Sequence, residues 1–238
     1  CLSKITNKII AVSKTVAEFA SKQAGISMEK FIVIHNGVEI NEIEKYKNSF
    51  SKMEARQKTN IPTDSIVFLN VGRINKQKQQ HLLVEAFKEV VKENNLAQLY
   101  IVGRGGEVEF LKQKVSENNL EDKVVLVGYS DSVSDYYRSA DAFVLSSKYE
   151  GFPNVAIEAM AFKLPLISTN VPGVDEFLVD RENGFLVDES TESIAHGMIQ
   201  LLKLSQEELN HMSNEAEKTA QRFDIKETVR KYSELYLK

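Results

Sequence analysis

Residues 65–102 read SIVFLNVGRINKQKQQHLLVEAFKEVVKENNLAQLYIV, and the order of apolar and polar side chains in this stretch decides the fold. Ser65–Val71 is a short apolar run that stops at Gly72, and Gln98–Val102 is a second that stops at Gly103. Between them, residues 79–94 have the pattern of a helix. Two short strands joined by one helix form a parallel unit, because a parallel neighbour is reached only by a crossover of this length. The alternation continues, with strands expected at Lys123–Val127, Ala142–Leu145 and Leu166–Ser168 and helices near 106–118, 132–139 and 153–163. Short apolar strands separated by such helices imply an α/β fold, a doubly wound parallel sheet with helices on both faces.

Upstream, Lys8–Ser13 (KIIAVS) and Phe31–Ile34 (FIVI) read as strands around a helix at Lys14–Ala24, and the segment ends at an Asn36-Gly37 turn. Residues 39–60 are charged and weakly periodic, which suggests a linker carrying one surface helix. Helical periodicity returns at Ile194, Met198, Leu201 and Leu202, and two more helical stretches run to Val229, Tyr232, Leu235 and Tyr236, giving a helical C-terminal region.

Composition narrows the function classes. A chain of 238 residues with 42% hydrophobic content can bury a sizeable core. With 30 basic and 34 acidic residues the net charge is −4, which argues against a nucleic-acid-wrapping surface. The single cysteine, Cys1, excludes an internal disulfide and a Cys-based metal cage, and His35, His81, His196 and His211 lack metal-ligand spacing, so no metal is expected. No apolar run approaches the roughly 20 residues of a membrane span, and no signal-peptide pattern opens the sequence, which together suggest a cytoplasmic protein. The first residue is not Met, which suggests a part of a longer product or a trimmed chain.

Ligands of open α/β sheets bind beyond the carboxyl ends of the strands, and four successive strand ends carry suggestive residues. After the first strand of the main alternation come Arg73 and Lys78, two cations able to converge on a diphosphate. The second is followed by a glycine-rich turn, Gly103-Arg104-Gly105-Gly106, where a ligand could approach the backbone or where the chain simply turns tightly. The third is followed by Gly128-Tyr129-Ser130, where a planar base could pack, although Tyr129 could equally be a surface aromatic. The fourth leads to EGFPNVAIE at 150–158, with Pro153 suited to the first helical position. There the amides of Gly151, Phe152 and Asn154 would favour an anion. Glu150 would repel a phosphate and suits neutral hydroxyls instead, and Glu158, one turn deeper, could accept from a second set. Hydroxyls, diphosphate and hydroxyls are the groups of a sugar nucleotide. Acidic residues in a first helical turn are also common for dipole reasons alone.

The segments VGRINKQK, IVGRGGE, residues 127–176 from VGYSDS to PGVDE, and ENGFLV together resemble the C-terminal, donor-binding half of retaining glycosyltransferases of the GT-B fold, family 4. The resemblance covers most of residues 65–190 in order, with Glu150 and Glu158 matching the family's E-x7-E element. It implies a nucleotide-diphosphate sugar donor, a UDP-sugar first and a GDP-sugar second, and a metal-independent transfer with retention to a glycan or lipid-linked acceptor. By the same resemblance Arg73 and Lys78 match diphosphate-binding cations, Glu150 the carboxylate on the donor sugar, and Glu158 the one on the ribose. Amides around Phe152–Val155 match those that contact the phosphates, and Gly103, Gly128, Tyr129, Gly151, Pro153 and Asn154 complete the expected donor-binding set.

The sequence also departs from the family pattern. Gln79 stands where Gly is usual, Arg104 and Gly106 where an acidic residue and Pro are common, and a single Gly173 follows Pro172 in place of paired Gly. On this resemblance residues 1–40 are a remnant of the family's N-terminal domain, ending in the VIHNGV hinge, and 41–62 a linker. Residues 63–222 are the nucleotide-sugar-binding domain, and 223–238 a helix crossing back to the N-terminal domain. The acceptor site would lie in the missing part, and the full-length protein would associate peripherally with the inner face of the membrane. Two alternatives stay open: a noncatalytic nucleotide-sugar-binding subunit of a split enzyme, and a nucleotide-sugar epimerase of the same fold.

Overall fold

In the computed structural model, which describes residues 6–237, the apolar run of residues 66–71 becomes the strand on which the rest of the sheet is ordered. Before it come β1 (Ile9–Ala11), α1 (Lys14–Ala24) and β2 (Phe31–Val33), and β1 pairs with β2 in parallel. Two helices follow, α2 (Ile40–Ser49) and α3 (Lys52–Thr59), where one surface helix was expected. The reason is a reciprocal cap: Ser51 Oγ accepts the Glu54 N–H at 3.2 Å, and the Glu54 carboxylate accepts the Ser51 N–H at 2.8 Å, which starts a second helix. Ile40, Ile43, Ala55 and Arg56 are buried, so these helices are packed elements.

The main sheet is built from β3 (Ile66–Val71), β4 (Ala97–Val102), β5 (Val124–Gly128), β6 (Ala142–Leu145), β7 (Leu166–Thr169) and β8 (Gly184–Val187). Its helices are α4 (Gln80–Glu93), α5 (Val108–Glu117), α6 (Val133–Ser139) and α7 (Asn154–Ala161). The spatial order is β5-β4-β3-β6-β7-β8 and every pair is parallel. The strand β8, which follows a charged turn and is only four residues long, is an addition to the sequence reading. The C-terminal helices α8 (Thr191–Leu202), α9 (Gln206–Ala220) and α10 (Ile225–Tyr236) complete the chain.

Successive side chains of the strands serve opposite faces. From β3, Val67, Leu69 and Val71 join Ile157, Met160 and Ala216 in one core, whereas Phe68 joins Phe87, Leu111 and Met198 in the other. Burial on both faces explains the near-continuous apolar runs. The chain steps outward from β3 through β4 to β5, then returns to lay β6 on the opposite side of β3 and continues outward to β8. That reversal, between β3 and β6, is the switch point of the sheet, and such sheets bind ligands beyond the carboxyl ends of their strands there.

Candidate functional site

The loops after β3, β4 and β5 brace one another. The Gly72 N–H donates to the Val102 carbonyl at 2.9 Å, the Gly103 N–H to the Gly128 carbonyl at 2.8 Å, and the Ile74 N–H to the Arg104 carbonyl at 3.0 Å. A Cβ on Gly103 would lie 1.8 Å from the Gly72 carbonyl oxygen, so this glycine is required by the packing of loop on loop, whatever a ligand needs. Between these loops lies a cavity of about 270 Å³ bounded by Arg73, Gly103, Arg104, Tyr129 and Val133. Tyr129 is 62% exposed, with the Arg104 guanidinium 4.9 Å from its ring centre and its hydroxyl donating to Asp131 at 2.6 Å. Gly128 ends β5 at φ 82, turning the chain into that wall.

The loops after β3 and β6 are stitched across the switch point. Ser146 Oγ donates to the Lys78 carbonyl, the Lys148 N–H to the Gln77 carbonyl and the Gln77 amide to the Tyr149 carbonyl, each at 2.8 Å. This brings Lys78 Nζ within 2.5 Å of Glu150 Oε1, and Ser147 Oγ donates to the same oxygen at 2.5 Å. The two side chains of the ion pair are only 16% and 9% exposed, so each charge is compensated mainly by the other. Arg73, expected to converge with Lys78, is exposed and makes no ion pair among the described residues. Gln79, where the resemblance expects Gly, has φ 48 and ψ 37, a left-handed conformation that explains the usual glycine. Its Oε1 is buried without a partner, while its amide donates to Glu189 at 2.8 Å.

Pro153 occupies the position before α7, at φ −81 and ψ 93, and Asn154 is the first helical residue, which corrects the expectation that Pro153 is the first. No side chain caps α7, and Asn154 Oδ1 is buried without a partner. The helix therefore presents its N–H groups uncapped beside Gly151 and Val155. Phe152 is buried, with ring centres of His35, Phe177 and Phe223 at 5.1, 5.6 and 5.2 Å. Its side chain belongs to the core, which leaves its backbone to serve a ligand.

One turn deeper, Glu158 Oε2 accepts the Tyr137 hydroxyl at 2.9 Å. Burial raises the Glu158 carboxyl above its ordinary range, against the lowering effect of that hydrogen bond, and burial also pushes the Tyr137 hydroxyl well up. Both residues border a second cavity of about 500 Å³, with Gly37, Tyr46 and Ser134. Val133, at the start of α6, lines both cavities, the first with Arg73, Gly103 and Tyr129 and the second with Glu158. The sequence reading missed Ser147 and Tyr137. Nothing in their spacing distinguishes them, because the pairing of loops and helices that selects them is tertiary. Chemically, the region beyond the carboxyl ends of β3–β6 offers an exposed cation, a compensated carboxylate, an uncapped helix N-terminus and a deep carboxyl, a set suited to an anion flanked by hydroxyls. Among the described residues no group of three or more His, Cys, Asp or Glu is arranged to hold a metal ion. No helix among them is long and apolar enough to cross a membrane.

The sequence matches the family glycosyl transferases group 1 over residues 51–219, most of the chain. It is 36% identical over 131 residues to an uncharacterized glycosyltransferase of Methanocaldococcus jannaschii, covering 55% of this chain and 32% of that protein. It is 29% identical over 242 residues to the UDP-Gal:alpha-D-GlcNAc-diphosphoundecaprenol alpha-1,3-galactosyltransferase of Escherichia coli, covering 99% of this chain and 61% of that one. The chain thus spans between a third and three fifths of the length of these relatives. Among solved structures, Anabaena HepE in complex with UDP superposes with a TM-score of 0.84 at 24% identity, over 97% of this chain and 63% of that one. The shared architecture is that of GT-B glycosyltransferases. With the family pattern running from α3 through the whole six-stranded sheet into α9, the chain belongs to the glycosyl transferases group 1.

Proposed function

We propose that the region beyond the carboxyl ends of the strands, at the switch point between β3 and β6, binds a nucleotide-diphosphate sugar, and that the protein carrying this chain transfers the sugar with retention to a glycan or lipid-linked acceptor held outside this chain. The observation that carries the reading is the pair of carboxylates, Glu150 and Glu158, set on either side of the uncapped N-terminus of α7 at the switch point of the sheet. The nucleotide half is supported by the UDP in the HepE complex and by the UDP-galactose named for the Escherichia coli relative.

In this reading the α7 amides and Arg73 take the diphosphate. Lys78 moves from Glu150 to a phosphate oxygen as the donor enters, which frees Glu150 for hydroxyls of the transferred sugar. Glu158 accepts from the ribose. Negative charge grows on the leaving diphosphate in the transition state, so cations and amides fixed there stabilise that state more than the ground state, and they supply the role a metal would otherwise fill. A base would sit in the cavity walled by Arg104 and Tyr129.

Calorimetric titration of the chain with UDP, GDP and ADP tests the donor site. UDP is expected to bind most tightly, and Arg73→Ala and Lys78→Ala each to weaken it by about 1–3 kcal/mol. No heat from any of the three nucleotides at millimolar concentration would overturn the assignment.

A further inference from the structure

Glu176, in the loop between β7 and β8, ties together parts of the chain far apart in sequence. Its Oε1 accepts the backbone N–H of Lys14, the first residue of α1, at 2.6 Å. That helix has no acidic residue in its own first turn, and Ser13 caps only the Val16 N–H. Glu176 therefore supplies, from another part of the fold, the carboxylate that the positive end of α1 favours. Its Oε2 lies 2.6 Å from His35 Nε2, just past β2 and two residues before Gly37. One carboxylate, 17% exposed, thus grips the unit β1-α1-β2 both near its beginning and at its exit.

The same loop is wedged against the turn that opens α7. A Cβ on Gly173 would come 2.4 Å from the Gly151 carbonyl oxygen, so the two backbones touch. From the other side, a Cβ on Gly151 would meet Val12 Cγ2 at 3.4 Å and Val16 Cγ2 at 3.9 Å. The His35 ring packs on Phe152 of the same turn. The Gly151 turn is thereby held between the loop that carries Glu176 and the unit that Glu176 grips.

We propose that Glu176 is a positioning residue for sugar transfer, which sets the β1-α1-β2 unit, and any lobe continuous with it, against the Gly151 turn without touching the donor. This inference rests on the reading of that turn as part of the donor site. The test compares Glu176→Ala and Glu176→Gln with the wild type by amide hydrogen exchange and UDP titration of this chain, and by transfer kinetics of the protein that carries it. In Glu176→Ala, exchange of residues 9–34 is expected to accelerate about tenfold or more while β3–β8 keep their protection. UDP affinity should change less than about twofold, and kcat should fall about tenfold or more with donor KM nearly constant, since a small misplacement across the cleft disrupts reaction geometry more than binding. Glu176→Gln keeps a carbonyl to accept the Lys14 N–H and presents its amide to His35 Nε2, and should restore most of both losses. Unchanged exchange of residues 9–34 in Glu176→Ala, a fall in kcat no larger than the rise in KM, or a Gln variant no better than Ala would each overturn the proposal. If the wild-type chain binds no UDP, the donor reading itself fails, and the exchange data still decide whether Glu176 holds the unit.

Discussion

At the scale of single residues, the two carboxylates of the E-x7-E element are in opposite electrostatic situations. Glu150 is compensated by Lys78, whereas Glu158 is buried beside Tyr137 with its carboxyl raised. A raised folded value means that the folded chain holds the proton more tightly than the unfolded chain does. The contribution of Glu158 to stability is thus fully present below the ordinary carboxyl range and is lost as pH rises through the raised value. Above that value the ionised carboxylate is less well accommodated in the folded chain than in the unfolded one. Glu158→Gln is therefore expected to raise the urea midpoint at pH 7, to leave it nearly unchanged at pH 4, and to weaken UDP binding by about 1 kcal/mol. An equal midpoint shift at both pH values would show that packing, rather than charge, is responsible. The residue types and spacing of this element were readable in the sequence because an E-x7-E pattern around Gly-Phe-Pro is local. The partners that the two carboxylates meet, Lys78 and Tyr137, come from the loop after β3 and from α6. No local pattern announces them.

At the scale of elements, the strands of the main sheet other than β8 were legible because burial on both faces leaves an apolar run that polar loops interrupt. The segment misread as a linker shows what such patterning leaves out. Its helices α2 and α3 are charged enough to look solvated, but Arg56 of α3 is buried and donates to the Ser139, Pro62 and Thr63 carbonyls at 3.0, 3.2 and 2.7 Å and to Asp141 Oδ2 at 2.9 Å. Asp141 in turn accepts the Val67 N–H at 2.7 Å and Lys52 Nζ at 2.5 Å. A charged residue thus fastens α3 to the amino-terminal ends of β3 and β6, the end of the sheet opposite the candidate site. Periodicity scores Arg56 as surface and cannot find this. Arg56→Met is expected to cost about 3 kcal/mol, because it leaves the Ser139 and Thr63 carbonyls without this donor, the Pro62 carbonyl with Ser65 Oγ alone, and the partly buried Asp141 carboxylate short of one partner. Chemical denaturation measures this, and a loss below about 1 kcal/mol would assign the attachment of α3 to its apolar contacts instead.

At the scale of the whole molecule, residues 35–38, by which the chain leaves the β1-α1-β2 unit, are joined to the start of α10. The Val38 N–H donates to the Phe223 carbonyl and the Ile225 N–H to the Val38 carbonyl, both at 2.9 Å, and Thr228 Oγ1 donates to the His35 carbonyl at 3.0 Å. Beyond that junction α10 has no buried residue, and Val229 and Tyr236 of the stripe noticed in the sequence are 57% and 83% exposed. Its attachment therefore depends on the first turn, where Gly37 lies so close that a Cβ would be 2.4 Å from Ile225 Cα and 2.7 Å from its nitrogen. Gly37→Ala forces these backbones apart, at a local cost of about 1–3 kcal/mol. Because few other contacts hold α10, this is expected to free the helix while the six-stranded sheet keeps its unfolding midpoint. Limited trypsin digestion reads the outcome directly, since cleavage after Lys226 and Arg230 should accelerate several-fold relative to sites in α4 and α5. Equal rates at all these sites would mean that α10 is held along its length, and the junction at Gly37 would then be a point where the chain passes rather than the point where it is fastened.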